Sequence, residues 1–259
     1  MNRLGALAAF AVAFGFAQSA LAADARGGGP SALLMTYHAM PANRPLLMRE
    51  LLQSEVRQLQ QWKETGVIES YRLLTNRYAD SVTWDAALIL TFRNEAALAG
   101  WKRVEHEFPA GLTPKALALT SAVETAPADL MREGRARDDA TEPTFLVIPY
   151  DYAVPEGDYL KYLDGYTIPQ LSGWIDEGVL ARYSIYLGRY PAGRPWSALL
   201  VLEYKDDAAF AQREAVVAKV RARLAANPTW KAFADDKKNI RTEKAPTVAD
   251  LVATDGGVP

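Results

Sequence analysis

The sequence contains no cysteine and only two histidines among its 259 residues. Without cysteine the chain has no disulfide framework and no lipid anchor on an N-terminal cysteine. The two histidines, His38 and His106, are far apart in the sequence. They therefore do not form the pair three or four residues apart that is typical of metal sites, and the sequence predicts no metal site.

The chain also lacks the motifs and charge runs that mark several large functional classes. Its formal net charge is only −2, and no stretch of lysine and arginine is long enough to follow a phosphate backbone. We therefore expect no nucleic acid partner. The sequence has no G-x-G-x-x-G, no P-loop and no G-x-S-x-G. Gly27–Gly29 follows no predicted strand, so it indicates a flexible leader rather than a phosphate-binding loop.

The first 22 residues have the organisation of a cleaved export signal. Arg3 gives a short basic start, Leu4–Ala17 is an apolar run, and Ala20-Leu21-Ala22 is a cleavage site of the A-x-A type. A membrane anchor is the competing interpretation, but the run is shorter than the roughly 18–20 residues that a membrane span needs. We expect a periplasmic or secreted protein that keeps no membrane segment after cleavage.

The sequence contains an internal repeat. Residues 58–98 and 170–210 align without a gap at an offset of 112, and 14 of the 41 positions are identical. A repeat of this length indicates a duplicated domain rather than a short solenoid repeat. The match resumes near Glu124 and Glu243 at an offset of 119, so the second copy has gained seven residues in or after its second helix.

Breaks in composition and periodicity divide the chain into segments. The charged stretch around Met131–Asp139 lacks periodicity and indicates a linker. The predicted division is a signal peptide 1–22, a first unit 31–125, a linker 126–142, a second unit 143–245 and a C-terminal tail 246–259.

Each unit has the predicted order strand, helix, strand, strand, helix, strand. Apolar residues at helical spacing, ending at Trp62, predict the first helix, and Gly66 follows as its C-terminal cap. Asn94 is the predicted N-cap of the second helix. Trp62 and its repeat Trp174 are predicted core residues. In the second unit Gly165 and Pro169 fall inside the first helix, so we expect a kink or a break there.

This order is the βαββαβ ferredoxin-like plait. The strands Ala86–Leu90 and Ala198–Leu202 are apolar at both odd and even positions, which predicts that both faces of each sheet are buried. The simplest solution presses the two sheets together. The pattern resembles the dimeric α/β-barrel superfamily, and the predicted fold is α+β, two tandem ferredoxin-like units packed sheet to sheet as an intramolecular α/β barrel. The resemblance implies a ligand between sheet and helices or in the barrel.

The repeated polar and aromatic residues are the candidate ligand-binding set. An arginine beside aromatic rings can hold a carboxylate or phosphate while the rings cover an apolar body. A purely structural role, with arginine stacked on tryptophan at the end of a hairpin, explains the repeat equally well. The set is Tyr71, Arg77, Tyr78 and Trp84, with the repeats Tyr183, Arg189, Tyr190 and Trp196.

His38 and Glu203 are the candidate catalytic residues. His38 ends the first strand, where a barrel mouth would lie, and could be a general base or a haem ligand. Its aligned position in the second unit is Tyr150. Glu203 follows Leu199 and Val201 on one strand face and could be a carboxylate that points into the barrel. Asp85 has a similar position, and we expect it to be solvated.

Three functions remain open at this point. The protein binds a small, partly apolar molecule; or it is a barrel-type enzyme, cofactor-independent or haem-dependent and similar to monooxygenases; or it is an interaction module with a filled barrel. The resemblance makes haem a candidate cofactor. A tandem chain forms in one molecule what many relatives form from two, so we expect a monomer that is a pseudo-dimer, or a homodimer.

Overall fold

A computed structural model describes residues 30–138 and 140–256, so the predicted export signal and Gly27–Gly29 lie outside the described residues. The strands are β1 (Ser31–Ala39), β2 (Ser70–Asn76), β3 (Ala86–Phe92), β4 (Thr120–Arg135), β5 (Thr144–Tyr152), β6 (Leu180–Gly188), β7 (Ala198–Tyr204), β8 (Arg241–Glu243) and β9 (Thr247–Thr254). The α-helices are α1 (Arg44–Glu50), α2 (Val56–Glu64), α3 (Glu95–Gly100), α4 (Lys102–Glu107), α5 (Pro114–Leu117), α6 (Glu156–Tyr162), α7 (Ile168–Asp176), α8 (Asp207–Ala211), α9 (Arg213–Leu224) and α10 (Pro228–Ile240).

Eight of these strands close into an antiparallel barrel. The order is β7-β6-β4-β1-β3-β2-β9-β5, and β5 pairs back with β7 to close the ring. The short β8 pairs with the end of β5 beside β9. The fold is therefore α+β, with helices outside a closed antiparallel barrel. Closure leaves the eight strands without a free edge, which removes the usual template for aggregation.

The two halves of the barrel have the same strand order. In the first unit (β1–β4 and α1–α5) the order is β4-β1-β3-β2, and in the second (β5–β9 and α6–α10) it is β9-β5-β7-β6. The units join where β4 pairs with β6 and where β2 pairs with β9. The two sheets therefore enclose a common interior and are joined along two edges. At one edge β4 of the first unit extends the sheet of the second, and at the other β9 of the second unit extends the sheet of the first.

The strand register corrects one aligned position. Tyr37 lies opposite Ala86, and Tyr150 lies opposite Ala198, the repeat of Ala86. The counterpart of Tyr150 is therefore Tyr37, not His38, because the first strands of the two units align at an offset of 113 rather than 112. Asp151 is the structural counterpart of His38. A shift of one residue exchanges the two faces of a strand, so His38 faces the barrel interior whereas Tyr150 faces the helices.

The helices cover the outer face of the barrel, as the helical spacing predicts. Trp62 and Trp174 are both buried, and Trp62 packs edge-on against Trp101 with ring centroids 5.2 Å apart. Gly66 follows the end of α2 with φ +73°, a conformation that glycine adopts without strain. The Asn94 side chain accepts a hydrogen bond from the amide of Ala97, so it is the predicted N-cap.

The helix predicted to kink or break at Gly165–Pro169 is not broken, but it has an irregular turn there. The chain passes continuously from α6 to α7 through one π-helical turn, Leu163–Thr167, and Pro169 lies in α7 directly after that turn. The first unit has the same π-helical turn at the equivalent residues, Leu51–Glu55, without glycine or proline. The turn is therefore common to both units. Gly165 has a different reason, because a Cβ there would lie 2.5 Å from the ring of Phe233 on α10.

Two segments predicted to be irregular are strands. Residues 126–135, placed in the linker, belong to β4, which pairs with β1 on one side and with β6 on the other. Residues 247–254, placed in the tail, form β9 and close the barrel. Both strands are less apolar than β3 and β7, so their sequences lack the signal of a buried strand. The extra residues of the second unit lie in the region that includes α10, a helix that the sequence pattern does not predict.

Among the described residues, no helix is both long enough and apolar enough to cross a membrane.

Candidate functional site

The barrel interior, here called the lumen, is apolar in its middle and polar at both ends. Alternate residues of each strand point inward, for example Leu34 on β1, Ile89 on β3 and Val201 on β7. These are the residues that make β3 and β7 apolar at both parities, as the sequence predicts. Their packing separates two cavities, one at the ends of β1 and β5 and one at the starts of those strands.

The first of these, the apolar cavity, has a volume of about 370 Å³. Trp84 and Trp196, equivalent residues of the two β-hairpins, stand at its entrance. Trp196 is buried and Trp84 is half-buried. The volume falls within the range of roughly 300–1,000 Å³ that is typical of small-molecule sites. Its lining residues include Leu34, Leu74, Ala87, Ile89, Val147 and Leu199.

A few polar side chains meet at the same entrance. His38 and Glu124 come from the first unit, on adjacent strands β1 and β4. Because Glu124 lies opposite Thr36, it is a diagonal neighbour of His38 on the inward face. Lys244 comes from the second unit, and its ammonium group lies 2.6 Å from the carboxylate of Asp151, the counterpart of His38. The entrance thus carries a histidine and an acid on one side and a closed ion pair on the other.

Asp85 fixes the hairpin that carries Trp84. Its carboxylate accepts from the amide of Ala39 at 2.8 Å and from Nε of Arg44 at 2.7 Å. The side-chain amide of Asn76 donates to the carbonyl of Trp84 at 2.9 Å. Asp85 is buried rather than solvated as expected. These bonds fix the backbone that carries Trp84 before any ligand arrives, which lowers the entropy cost of binding.

Arg77 and Arg189 do not reach the apolar cavity. Arg77 lies 2.7 Å from Asp207 and 2.6 Å from Asp250, and hydrogen bonding to these carboxylates raises its pKa. Arg189 binds Glu95 and Asp129, which raise its pKa in the same way. Each guanidinium already has carboxylate partners and joins the two units. We therefore assign these arginines to the structure and not to the ligand.

The other aromatic members of the repeated set are also dispersed. Tyr71 and Tyr183 are buried on the outer face of their strands, under the helices. Tyr78 and Tyr190 are exposed at 64% and 67%. Of the eight residues in the set, Trp84 and Trp196 alone line the apolar cavity. Residue type and repetition identified the set, but strand parity and loop geometry decide which members meet.

Glu203 lies at the other end of the lumen from His38, so these two candidates are not brought together. It points inward, as the strand pattern predicts, and one carboxylate oxygen lies 3.7 Å from Nη2 of Arg72. Sequence reasoning missed Arg72, Glu124 and Lys244. Inward parity, counted from the apolar residues of each strand, would have indicated Arg72, but the position of Lys244 depends on the break between β8 and β9.

The space between sheet and helices, the alternative site that the resemblance implies, is filled by side chains. In the first unit the hydroxyl of Tyr37 donates to the carbonyl of Ala110 at 2.8 Å. In the second unit the guanidinium of Arg241 stacks 3.8 Å from the ring centroid of Tyr150, and Tyr159 packs nearby. The lumen is therefore the better candidate site.

The residues around the apolar cavity do not fit haem. His38 lines it and would suffice as one axial ligand, whereas His106 is exposed on α4. Haem also carries two propionates, yet the lining includes no arginine, and Lys244 is already paired with Asp151. Within the described part of the chain, no group of three His, Asp or Glu side chains is placed to hold a metal ion.

Comparison with known proteins identifies the fold but not the family. No family model matches the sequence, and no curated protein matches it. Solved structures do match. A protein from Fusobacterium nucleatum proposed to be a monooxygenase is 11% identical, with a TM-score of 0.55 over 90% of this chain and 97% of that one. The chain has the dimeric α/β-barrel fold.

Two further structures have the same barrel. An anthrone oxidase-like protein is 13% identical, with a TM-score of 0.54 over 86% of this chain and 91% of that chain. A chlorite dismutase variant from Candidatus Nitrospira defluvii is 10% identical, with a TM-score of 0.50 over 86% and 91%. At these identities the likeness concerns the fold alone, and the site must be argued from its own residues.

Proposed function

We propose that this protein binds a small, mostly apolar molecule in the apolar cavity of the lumen. The observation that supports the proposal most strongly is a cavity of about 370 Å³ inside a closed barrel, with polar side chains confined to its entrance. A few polar groups on an apolar wall orient a ligand, while the wall supplies most of the affinity. A filled barrel would leave no such space, which counts against an interaction module.

The positions of the lining residues suggest how the ligand lies. Its apolar body would contact Leu34, Ile89 and Leu199 in the middle of the barrel. Its polar group would meet the imidazole of His38 or the carboxylate of Glu124 at the entrance. The rings of Trp84 and Trp196 would cover the exposed edge, as aromatic rings do at low entropy cost.

The test is native mass spectrometry of the protein purified from its own source, together with the variant Leu34→Trp. We expect an extra mass that disappears on denaturation and that is lost when the larger side chain fills the cavity. Leu46→Trp is the matched control, because Leu46 is 46% exposed on α1. A bare protein mass in the wild type, with no binding of a probe such as 2-naphthol, would contradict the proposal.

A second candidate function is a cofactor-independent oxygenase that uses the same cavity. The observation that favours it is a histidine at the edge of an apolar wall, since imidazole can accept a proton near neutral pH. His38 would remove a proton from an acidic C–H or phenolic O–H of the substrate, and Glu124 would orient the imidazole. The neighbours described as a monooxygenase and as anthrone oxidase-like make anthrone a reasonable first substrate.

Oxygen consumption with anthrone tests this second function. His38→Ala should abolish turnover without lowering the thermal unfolding midpoint. His106→Ala is the control, because it removes the only other histidine from an exposed helix and should leave turnover unchanged. Equal activity in both variants, or none in the wild type, would leave binding as the function.

We also propose that the tandem units arose by duplication and have since diverged. Two observations support this: the repeated sequence and the matching strand order. In addition, Arg77 and Arg189 form equivalent ion pairs between the units. His38 against Asp151 is the clearest difference at the cavity, which suggests that the first unit supplies the chemistry. Light scattering would distinguish a monomeric pseudo-dimer from a homodimer.

Export to the periplasm or the exterior is part of the same proposal. The basic start, the apolar run and the A-x-A site support it. N-terminal sequencing of the protein from a periplasmic fraction should begin at Ala23. A chain that retains residues 1–22 in the cytoplasm would contradict it.

A further inference from the structure

The opposite end of the lumen holds a second cavity with a different character. Its volume is about 780 Å³, and its lining includes several charged and hydroxyl side chains. It lies at the starts of β1 and β5, beyond Phe145 and away from His38. It is called the polar cavity below, and the proposed function does not use it.

Among the described residues, two arginine side chains in this cavity, Arg72 and Arg182, have no hydrogen-bond partner. Arg72 is only 13% exposed, yet its nearest carboxylate contact is the 3.7 Å approach to Glu203, which exceeds hydrogen-bond length. Arg182 lies directly opposite Glu203 in the β6–β7 ladder but forms no ion pair with any described residue. Each guanidinium carries five N–H donors, and neither arginine is among the residues with a fully buried, unpartnered nitrogen, so these donors are accessible from the cavity.

Arg72 and Arg182 differ from Arg77 and Arg189, the two arginines that join the units. Arg77 and Arg189 each bind two carboxylates at short distances. Arg72 and Arg182 share one loose carboxylate between them. In the deeper part of the cavity positive charge therefore exceeds negative charge, because the other carboxylates that line it are exposed, where water screens them: Glu69, Glu133 and Asp255.

The floor between the two arginines is apolar and aromatic. Phe145 lies under Arg72, with the guanidinium 5.6 Å from the ring centroid. Tyr186 is buried, and this burial raises its pKa, whereas the charges of Arg72 and Arg182 act in the opposite direction. Both arginines thus lie near one aromatic ring. A planar guanidinium fork on each side is suited to the two oxygens of a carboxylate.

We propose that the polar cavity binds a small organic carboxylate. Its carboxylate group would take the free N–H donors of Arg72 and Arg182, and its apolar body would lie on Phe145 and Tyr186. The cavity is far larger than an inorganic oxyanion needs, and the aromatic floor gives an apolar body a contact surface. Glu203 approaches Arg72 and lies opposite Arg182 in the ladder, so one carboxylate faces two guanidinium groups.

Isothermal titration calorimetry of the whole purified protein tests this proposal, with benzoate, octanoate and inorganic phosphate as probes. We expect saturable binding of at least one carboxylate at millimolar concentration or below, and weaker binding of phosphate. Arg72→Gln and Arg182→Gln should each weaken binding about ten- to a hundredfold, the value of a charge-assisted hydrogen bond. Arg72→Lys keeps the charge but loses the fork, so it should fall in between.

Three controls make the outcome decisive. Arg223→Gln removes an arginine that is 55% exposed on α9 and should leave the affinity unchanged. Ala87→Leu narrows the apolar cavity and should not affect carboxylate binding, so the two cavities can fail separately. Arg182 has no ion pair to lose, so its variant should fold even if Arg72→Gln does not.

Two results would overturn the proposal. One is carboxylate binding that survives both arginine substitutions or that disappears in Ala87→Leu. The other is phosphate binding as tight as that of the carboxylates, which would show that the aromatic floor contributes nothing.

Discussion

The guanidinium of Arg77 in the first unit lies 2.7 Å from the carboxylate of Asp207 in the second. The repeat of this pair, Arg189 with Glu95, joins the units at the opposite seam. Each arginine follows a second strand, and each acid stands in the first turn of the other unit's helix, where a negative charge is favourable. The two seams are therefore held by the same device used twice.

Replacing Arg189 with alanine should destabilise the protein more than removing an exposed ion pair does. Arg189 and Asp129 are each only 14% exposed, so the substitution leaves a half-buried carboxylate without its partner. We expect the free energy of unfolding to fall by about 2–4 kcal/mol, somewhat less than for a fully buried pair. Urea denaturation checks this, with Lys231→Ala on exposed α10 as a control expected within about 0.5 kcal/mol.

Ala86 and Ala87 are neighbours on β3 that face opposite sides of the barrel wall. Ala87 lines the apolar cavity, and Ala86 packs under the helices. Ala87→Leu should therefore leave stability nearly unchanged while it blocks the apolar ligand. Ala86→Leu should cost about 1–3 kcal/mol, because an already packed core must shift. Thermal unfolding together with probe binding distinguishes the two; equal costs would mean that the cavity is not open in solution.

Gly165 is predicted to tolerate no side chain. Its Cβ would lie 2.5 Å from the ring of Phe233, so Gly165→Ala must push α10 away from the π-helical turn. We expect a loss of about 1–3 kcal/mol in spite of the higher helix propensity of alanine. Gly157→Ala on α6 is the matched control, because nothing lies within 4 Å of a Cβ there. Chemical denaturation measures both variants. If helix propensity alone determined the effect, the free energy of unfolding would rise in each of them.

Glu55 should make stability depend on pH in an unusual direction. Burial raises its pKa. One carboxylate oxygen accepts a hydrogen bond from the amide of Thr113 at 2.8 Å, and the other has no partner among the described residues. A folded pKa above the unfolded value means that folding favours the protonated form. Its contribution is therefore fully present at acid pH below the unfolded pKa and is lost as pH rises through the folded pKa.

Glu55→Gln tests this directly. The variant should be more stable than the wild type at neutral pH, and the difference should shrink as the pH falls below the ordinary range of a carboxyl group. Unfolding curves at a series of pH values measure it. A difference that does not change with pH would show that the pKa of Glu55 is the same in the folded and the unfolded protein.

The sequence predicted the barrel well because its evidence is local or repeated. Apolar residues at both parities of β3 and β7 indicate burial on two faces, whatever lies against them. Gly66 and Asn94 are caps, whose function depends on one turn of backbone. The prediction of secondary structure failed where the pairing partners are distant in sequence. Both β4 and β9 are held by hydrogen bonds to strands on both sides, so their own side chains need not be strongly apolar.

The candidate site was predicted less well for a similar reason. Trp84 and Trp196 reach the apolar cavity, but the adjacent Arg77 and Arg189 turn to carboxylates far away in the sequence. Alignment by identity also paired His38 with Tyr150, and only the hydrogen-bond register shows that the first strands align one residue further on.

The sequence by itself determined the strand order, the burial of both sheet faces and the repetition of one unit, because hydrophobic periodicity and caps act over a few residues. The tertiary structure alone decided that the lumen has an apolar and a polar cavity and that Arg77 and Arg189 join the two units. It also decided that the side chains of Arg72 and Arg182 form no hydrogen bond with another described residue. These features depend on which side chains from separate strands meet across a closed barrel, and that is fixed by register and closure rather than by any single segment.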